Sequence, residues 1–353
     1  MVQLSKLLNV ALRKVLQLCN RIGQHKSHNA FKLLYLPSVA LRNVLQCMNP
    51  HELFELSQCS RKTRFIIPLA GSKNFKLKID LSFGIVSVNG EEFVVNENRS
   101  KYQYIIKGKR EFMGKTVKIS DEVTKNYVPL RKREMISFWD DRAIGLENVT
   151  LHLANLFNCT IDAMIFQCEI PAEVYIDLII SRQSEIKKLD IGPDSLSVEK
   201  ISKIFDNLKV TDSLTLWQNA STVQSLSFSA KSVEIGDSYW ITSVHLASMK
   251  NCVVIELRDS SLTNLDMTSF LNDWNSGHYP NLRYLYVRSK NLSEDFTVFG
   301  LPSLRNYVDL RLVTAQVLDQ YIMIFGTVDV HRDNRVVANI VLNRSRTLEL
   351  LVL

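Results

Sequence analysis

Between positions 36 and 66 the apolar residues recur at steps of three and four. Leu36, Ala40, Leu41, Val44, Leu45 and Met48 mark one stripe of an α-helix, and Pro37 suits its first turn. Asn49-Pro50 ends that helix, because the residue before a proline is pushed out of the α region. The same pair opens the next one. Asn49 serves as N-cap, Pro50 takes the first position and Glu52 the third, a capping box, with Met48 and Leu53 placed for a hydrophobic staple. Leu53, Leu56 and Cys59 give this second helix its apolar face. Ser60 caps a third, short helix through Arg64, Phe65 and Ile66, which Pro68 limits. A unit of about 40 residues seldom buries enough surface to stand alone, so its spare apolar face predicts a partner or packing against the rest of the chain.

After residue 74 the period falls from helical to two. Phe75, Leu77, Ile79 and Leu81 alternate, and Ile85, Val86 and Val88 lead through Asn89-Gly90 to Glu91, Phe93 and Val95. Asn-Gly between apolar runs predicts a hairpin, since both turn positions need positive φ. From about residue 146 short strand candidates recur: Val149–Leu153, Leu189–Ile191, Leu214–Leu216, Val233–Ile235, Ile255–Leu257 and Leu285–Val287. With Ile191, Leu216, Ile235, Leu257 and Val287 taken as equivalent, the steps are 25, 19, 22 and 30 residues. This brackets the leucine-rich-repeat range. Val198 to Leu208 and Thr268 to Trp274 read as helices between strands, with Ser197 and Asp266 as caps. Strand-turn-helix units of this kind bury their apolar faces by stacking. The ladder position of true repeats is missing, and an α/β domain without repeats is the other reading.

The order Leu36-Pro37-Ser38, Asn43-Val44-Leu45, Met48-Asn49-Pro50 and Leu56-Ser57-Gln58-Cys59-Ser60 resembles an F-box of the nematode type over about 40 residues. The resemblance implies docking onto a Skp-type adaptor, which bridges to a cullin-RING ubiquitin ligase. Lys32 and Pro68 depart from the usual pattern and blur the ends of the motif. Further on, Leu262-Thr263-Asn264, then Phe270-Leu271 with Trp274, then Gly277, Pro280, Leu282, Tyr284 and Leu285 look like the core of the type-2 F-box-associated domain. Phe270, Leu271 and Trp274 share a helical face, which makes Trp274 a core residue rather than a target contact.

Composition changes this picture little. The 353 residues are 46% apolar and 22% charged, as in ordinary globular proteins. The six cysteines, 19, 47, 59, 159, 168 and 252, are scattered as reduced core thiols would be. Charge is more informative. Lys6, Arg13, Lys14, Arg21, Lys26, Lys32 and Arg42 precede the first acid, Glu52, and match the whole net charge of +7. Leu4, Leu7, Leu8, Ala11, Leu12, Val15, Leu16 and Cys19 form a stripe opposite those charges. Packing of that helix on the protein is preferred; contact of residues 1–25 with a membrane surface is the second reading. The uncharged stretch Leu7–Leu12 is too short for a secretory core, and no transmembrane span fits. Tyr102, Tyr104, Lys107, Lys109 and Arg110 mix aromatics with cations as RNA binders do, but the chain beyond residue 51 is neutral and disfavours nucleic acid. Leu130 to Glu134 reads as a charged turn. There is no nucleophile elbow, phosphate-binding loop, dinucleotide fingerprint or zinc-protease motif.

These readings predict an α+β chain: a basic amphipathic helix over 1–30, an F-box over 31–74, a hairpin-containing connecting region over 75–145, and an irregular leucine-rich-repeat-like α/β domain over 146–353. The resemblance implies a non-enzymatic subunit without metal or cofactor that recruits an unidentified target protein to an SCF-type ligase. The adaptor-binding residues it points to are Leu36, Pro37, Leu41, Val44, Leu45, Leu53 and Leu56. A leucine-rich-repeat-like scaffold with no link to ubiquitin is the alternative. The cytoplasm is the expected location, with the nucleus second.

Overall fold

The computed structural model describes residues 33–71, 75–98, 104–120, 134–167, 173–221, 223, 228–293, 295–300, 311–326, 328–332 and 335–353. The helix expected over residues 1–30 and positions 130–133 of the charged turn lie outside the described residues. Contacts divide the chain into two compact units, Met1–Asp162 and Ala163–Leu353.

The first unit begins with three helices, α1 (Ser38–Gln46), α2 (Pro50–Cys59) and α3 (Arg61–Ile66). Six strands follow among its described residues: β1 (Leu77–Asp80), β2 (Ile85–Val88), β3 (Glu91–Glu97), β4 (Gly108–Phe112), β5 (Lys115–Ser120) and β6 (Glu134–Trp139). Their order is β1-β2-β3-β6-β5-β4, parallel between β3 and β6 and otherwise antiparallel. Residues 75–145, read as a connecting region, therefore carry most of this sheet. The alternation seen in the sequence is its core face: Leu77, Ile79, Val86, Val88, Phe93 and Val95 are all buried. Asn89 and Gly90 have φ of 51° and 83° and join Val88 to its register partner Glu91 in the expected tight hairpin.

One strand expectation is overturned here. Val149–Leu153 lies inside a helix, α4 (Arg142–Phe157), packed on β2, β3 and β6. The side chain of Asp141 accepts a hydrogen bond from the Ile144 amide at 2.9 Å, and Asn158 ends the helix at φ 46°. Leu146, Val149, Leu153 and Leu156 are buried at steps of three and four, but Thr150, His152 and Ala154 are buried too. A helix covered nearly all round loses the contrast by which its period is read.

In the second unit six parallel strands follow one another in chain order: β7 (Ile161–Phe166), β8 (Glu185–Ile191), β9 (Lys209–Leu216), β10 (Ser232–Ile235), β11 (Val254–Ser260) and β12 (Tyr284–Ser289). Ile191, Leu216, Ile235, Leu257 and Val287 lie side by side, in the register that their spacing predicts. Phe166 opens the row, so β7 is the first rung. Helices α5 (Glu173–Arg182), α6 (Val198–Asn207), α7 (Ser243–Ser248) and α8 (Asn264–Asn275) connect the rungs. Ser197 caps α6 through the Lys200 amide. Asp266 is not a cap, contrary to expectation. Thr263 holds that place, and the Asp266 carboxylate returns a hydrogen bond from the Thr263 amide at 2.9 Å. Trp274, Phe270 and Leu271 are buried.

Beyond β12 the chain leaves the repeat. β17 (Thr347–Val352) pairs antiparallel with β12, followed by β16 (Arg335–Leu342) and β15 (Val328–Arg332). A separate hairpin, β13 (Leu312–Val317) with β14 (Gln320–Phe325), packs Val317 and Ile324 onto Val254, Tyr284, Val341 and Leu351. The leucine-rich-repeat expectation to residue 353 missed this meander, between whose strands the described residues form no helix.

Candidate functional site

The helical region is built by its own caps. Asn49 Oδ1 accepts from the Glu52 amide and Glu52 Oε2 accepts from the Asn49 amide, both at 2.9 Å. Ser60 and Thr63 close a second reciprocal box at the start of α3. Pro37 stands one place earlier than expected, at the N-cap of α1, with its carbonyl accepting from the Leu41 amide at 2.9 Å. The apolar residues then divide into two sets. Leu41, Leu45, Met48, Leu53, Phe54, Leu56 and Ile67 are buried, whereas Tyr35, Val39 and Phe65 are 81%, 71% and 86% exposed. Among the residues singled out from the sequence, Leu41, Leu45, Leu53 and Leu56 thus form the interior of this unit, Leu36 and Val44 are half-buried and Pro37 is exposed. Tyr35, Val39 and Phe65 fall off the apolar stripe in the sequence, and that apolar surplus on the polar side is the signal that stripe-counting overlooks.

Polar contacts bind these helices to the sheet of the same unit. Arg110 on β4 donates to both carboxylate oxygens of Glu55 on α2 at 2.6–2.9 Å. The Gln58 amide meets both backbone groups of Glu111: Nε2 donates to its carbonyl at 3.2 Å and Oε1 accepts from its N–H at 2.9 Å. Phe54 packs on Phe93, Phe112 and His152. A cleft of about 1030 Å³ opens between α2 and β4–β6, with Glu52, Cys59, Lys109, Glu134 and Met135 among its walls. Its ion pairs, Glu55–Arg110 and Arg64–Glu111, tie elements together. From the mixed basic and aromatic patch, Arg110 is therefore committed to α2, and Tyr104 accepts a hydrogen bond from Asn96 at 3.0 Å; Tyr102 lies outside the described residues.

In the second unit the functional candidate is the sheet face opposite the buried rungs. One register row across it reads Asp190, Thr215, Glu234, Glu256, Tyr286 and Glu349. Arg258 donates to Glu234 at 3.2 Å and to Glu256 at 2.9 Å, and its guanidinium lies 5.8 Å from the Trp217 ring and 5.2 Å from that of Tyr286. Gly236 makes room for this: a Cβ there would collide with Trp217. Burial, then the neighbouring charge of Glu234, raises the Glu256 carboxyl above the usual range, with Arg258 opposing. Burial likewise raises Glu349, against a hydrogen bond from Tyr284 at 2.8 Å. Among the described residues no three His, Cys, Asp or Glu side chains gather as metal ligands would, and no helix is long and apolar enough to cross a membrane.

Matches to known families cover the first surface and the middle of the second. The family described as F-box domain matches residues 33–70, α1 to α3 and their flanks, and that described as F-box associated matches residues 221–287, from β10 to β12. The Skn-1 dependent zygotic transcript 15 protein of Caenorhabditis elegans is 23% identical over 287 residues, 77% of this chain and 83% of that protein. Protein F59B2.9 of the same organism is 24% identical over 275 residues, 72% of this chain and 62% of that protein. No solved structure matches.

Proposed function

We propose that this chain, which carries an F-box and an F-box-associated region, is the target-recruiting subunit of an SCF-type cullin-RING ubiquitin ligase. The observation that carries the reading is the exposed apolar set Tyr35, Val39 and Phe65 on and beside helices α1 to α3, whose leucines and Phe54 are already buried within the first unit. Large apolar side chains held in water around a filled core are what a docking surface requires. Here the occupant is a Skp-type adaptor, and Leu36 and Pro37 belong to the same surface. The second unit offers the target-binding half. The subunit itself makes and breaks no bonds; it holds the target near the charged ubiquitin carrier and so raises its effective concentration there. The cytoplasm is the compartment that goes with this role, with the nucleus second.

Anchors at the centre of an interface cost about 2 kcal/mol or more when truncated. Tyr35→Ala with Phe65→Ala should therefore weaken capture of a purified Skp-type adaptor about 30-fold or more, without lowering the melting temperature. Undiminished capture of the adaptor sinks the reading. The sequence-ordered parallel ladder favours a second reading, a leucine-rich-repeat-like binding scaffold with no ubiquitin link. The two share a target-binding half, and adaptor capture by the wild-type chain separates them.

A further inference from the structure

Hairpin β13–β14 has one face on the molecule and one in water. Val313, Ala315, Val317, Ile322 and Ile324 turn down onto the core beneath it. The alternate residues turn out, and on β14 they are large and apolar: Tyr321, Met323 and Phe325 are 75%, 65% and 57% exposed. Parity gives the same three residues a second property. The Gly326 amide donates to the Arg311 carbonyl at 3.1 Å, and in an antiparallel ladder such hydrogen-bonded pairs recur at every second position. They are here Val313 with Ile324, Ala315 with Ile322 and Val317 with Gln320. The backbone N–H and C=O groups of Tyr321, Met323 and Phe325 therefore point away from β13, to the open edge of β14. Among the described residues no strand pairs with that edge. Natural sheets guard exposed edges with charge, proline or a bulge. β14, Gln-Tyr-Ile-Met-Ile-Phe in unbroken register, has none of them.

The order of residues along this edge is self-complementary. Two β14 strands set antiparallel about a twofold axis at Met323 place Met323 opposite Met323, and Tyr321 opposite Phe325 of the second copy on either side. Each of these pairs exchanges two backbone hydrogen bonds, because each uses the edge-facing groups. Aromatic cross-strand pairs then flank the methionine sulfurs, and both kinds of contact are favourable. The β13 edge offers no such match. Its outward residues are Leu312, Thr314 and Gln316, so the same operation sets a leucine against an amide. We propose that the β14 edge is the docking surface for a second copy of this chain, which joins the two hairpins into one continuous sheet. Three half-exposed side chains and a strand edge of 6 residues on each copy cover on the order of 1,000 Å² over both, the low end for a specific interface. The dimer accordingly forms in the micromolar range. It is isologous, so it closes on itself and does not grow.

Sedimentation velocity of the full chain from about 1 to about 100 µM spans that range and should show monomer giving way to dimer and stopping there. Met323→Lys sets like charges across the axis and should raise the dissociation constant about tenfold or more, with the melting temperature of the monomer unchanged because the side chain stands in water. Thr314→Lys puts the same charge on the same face at the other edge and should leave the dimer intact. Under mild oxidation Met323→Cys should give a reducible crosslink between copies, since the facing Cα atoms of such a pair are about 5.5 Å apart, within disulfide reach. Thr314→Cys should give none, nor should the wild-type chain, in which Cys47 and Cys59 are exposed. A monomer at about 100 µM, growth beyond a dimer, a dimer that survives Met323→Lys, or equal crosslinking of Thr314→Cys would each overturn the proposal. So would a monomer that binds a fluorescein-labelled peptide of alternating valine and threonine and loses it in Met323→Pro, which removes an edge-facing N–H; the edge would then belong to an extended strand of another protein.

Discussion

His152 shows how much one side chain can decide. Its Nδ1 accepts from the Met113 amide at 3.2 Å, and its ring lies against Phe54 and Phe112. Burial, with the charge of Arg64 adding to it and Glu111 opposing, lowers its pKa from 6.5 to about 4. Burial also lowers His51 to about 4, against a hydrogen bond with the Glu92 carbonyl, and the Glu91 carboxylate 3.3 Å from its Nδ1 pulls the same way as that bond. That makes His152 the cleaner acid-labile point. A ring with a lowered folded pKa stays neutral in the native state while the unfolded chain already takes a proton. Stability is therefore whole above pH 6.5 and falls as pH drops toward 4, by about 3 kcal/mol for a shift of this size. Thermal melts of the full chain should show the first unit losing stability between pH 7 and pH 5, and His152→Phe should flatten that dependence; an unchanged slope contradicts it. Leu45 and Leu53, both 0% exposed, belong to the other kind of residue. Either one changed to Ala should cost about 2–5 kcal/mol of stability and lower adaptor capture only through unfolding.

At the scale of elements, the most informative link is between α2 and β4. The Glu111 backbone on β4 is met by the Gln58 amide as a neighbouring strand would meet it. Gln58→Ala leaves both groups to water or to nothing and should destabilise the first unit by about 1–3 kcal/mol, read as a lower denaturation midpoint with an unchanged slope. A Gln58→Ala chain as stable as wild type would show the link to be ornamental. None of this was legible in the sequence, because Gln58 lies 53 residues from its partner and on the polar side of its helix. What could be read was local: the Asn49 and Ser60 boxes, the Asn89-Gly90 turn, and the rung spacing from Ile191 to Val287, each fixed by residues a few places apart or by a repeated interval. Val149–Leu153 was misread because a helix buried on nearly every side imitates an alternating strand. Four of the adaptor-binding residues read from the sequence, Leu41, Leu45, Leu53 and Leu56, are buried for a related reason: the strongest apolar stripe marks the side turned inward, and Tyr35 and Phe65 stand off it.

Over the whole molecule, the last strand closes the second unit. β17 lies between β12 and β16, and Leu348, Leu350 and Leu351 are fully buried. A chain ending at Leu342 lacks this strand, bares the edge of β12 and opens the core beneath the hairpin. It should aggregate or melt far below the full chain; equal thermal stability of the two would contradict the closed meander. The packing of Phe54 has a consequence of another sort, in time. Phe54 finishes its contacts only with His152, 98 residues later. At about 5–20 residues per second, a ribosome takes on the order of 5–20 s to supply them. The three helices thus leave the ribosome well before the sheet and α4 that pack against Phe54, and the proposed docking surface is fully supported only when the first unit is wholly synthesised. On the proposed reading, a nascent chain halted before α4 should fail to capture a Skp-type adaptor.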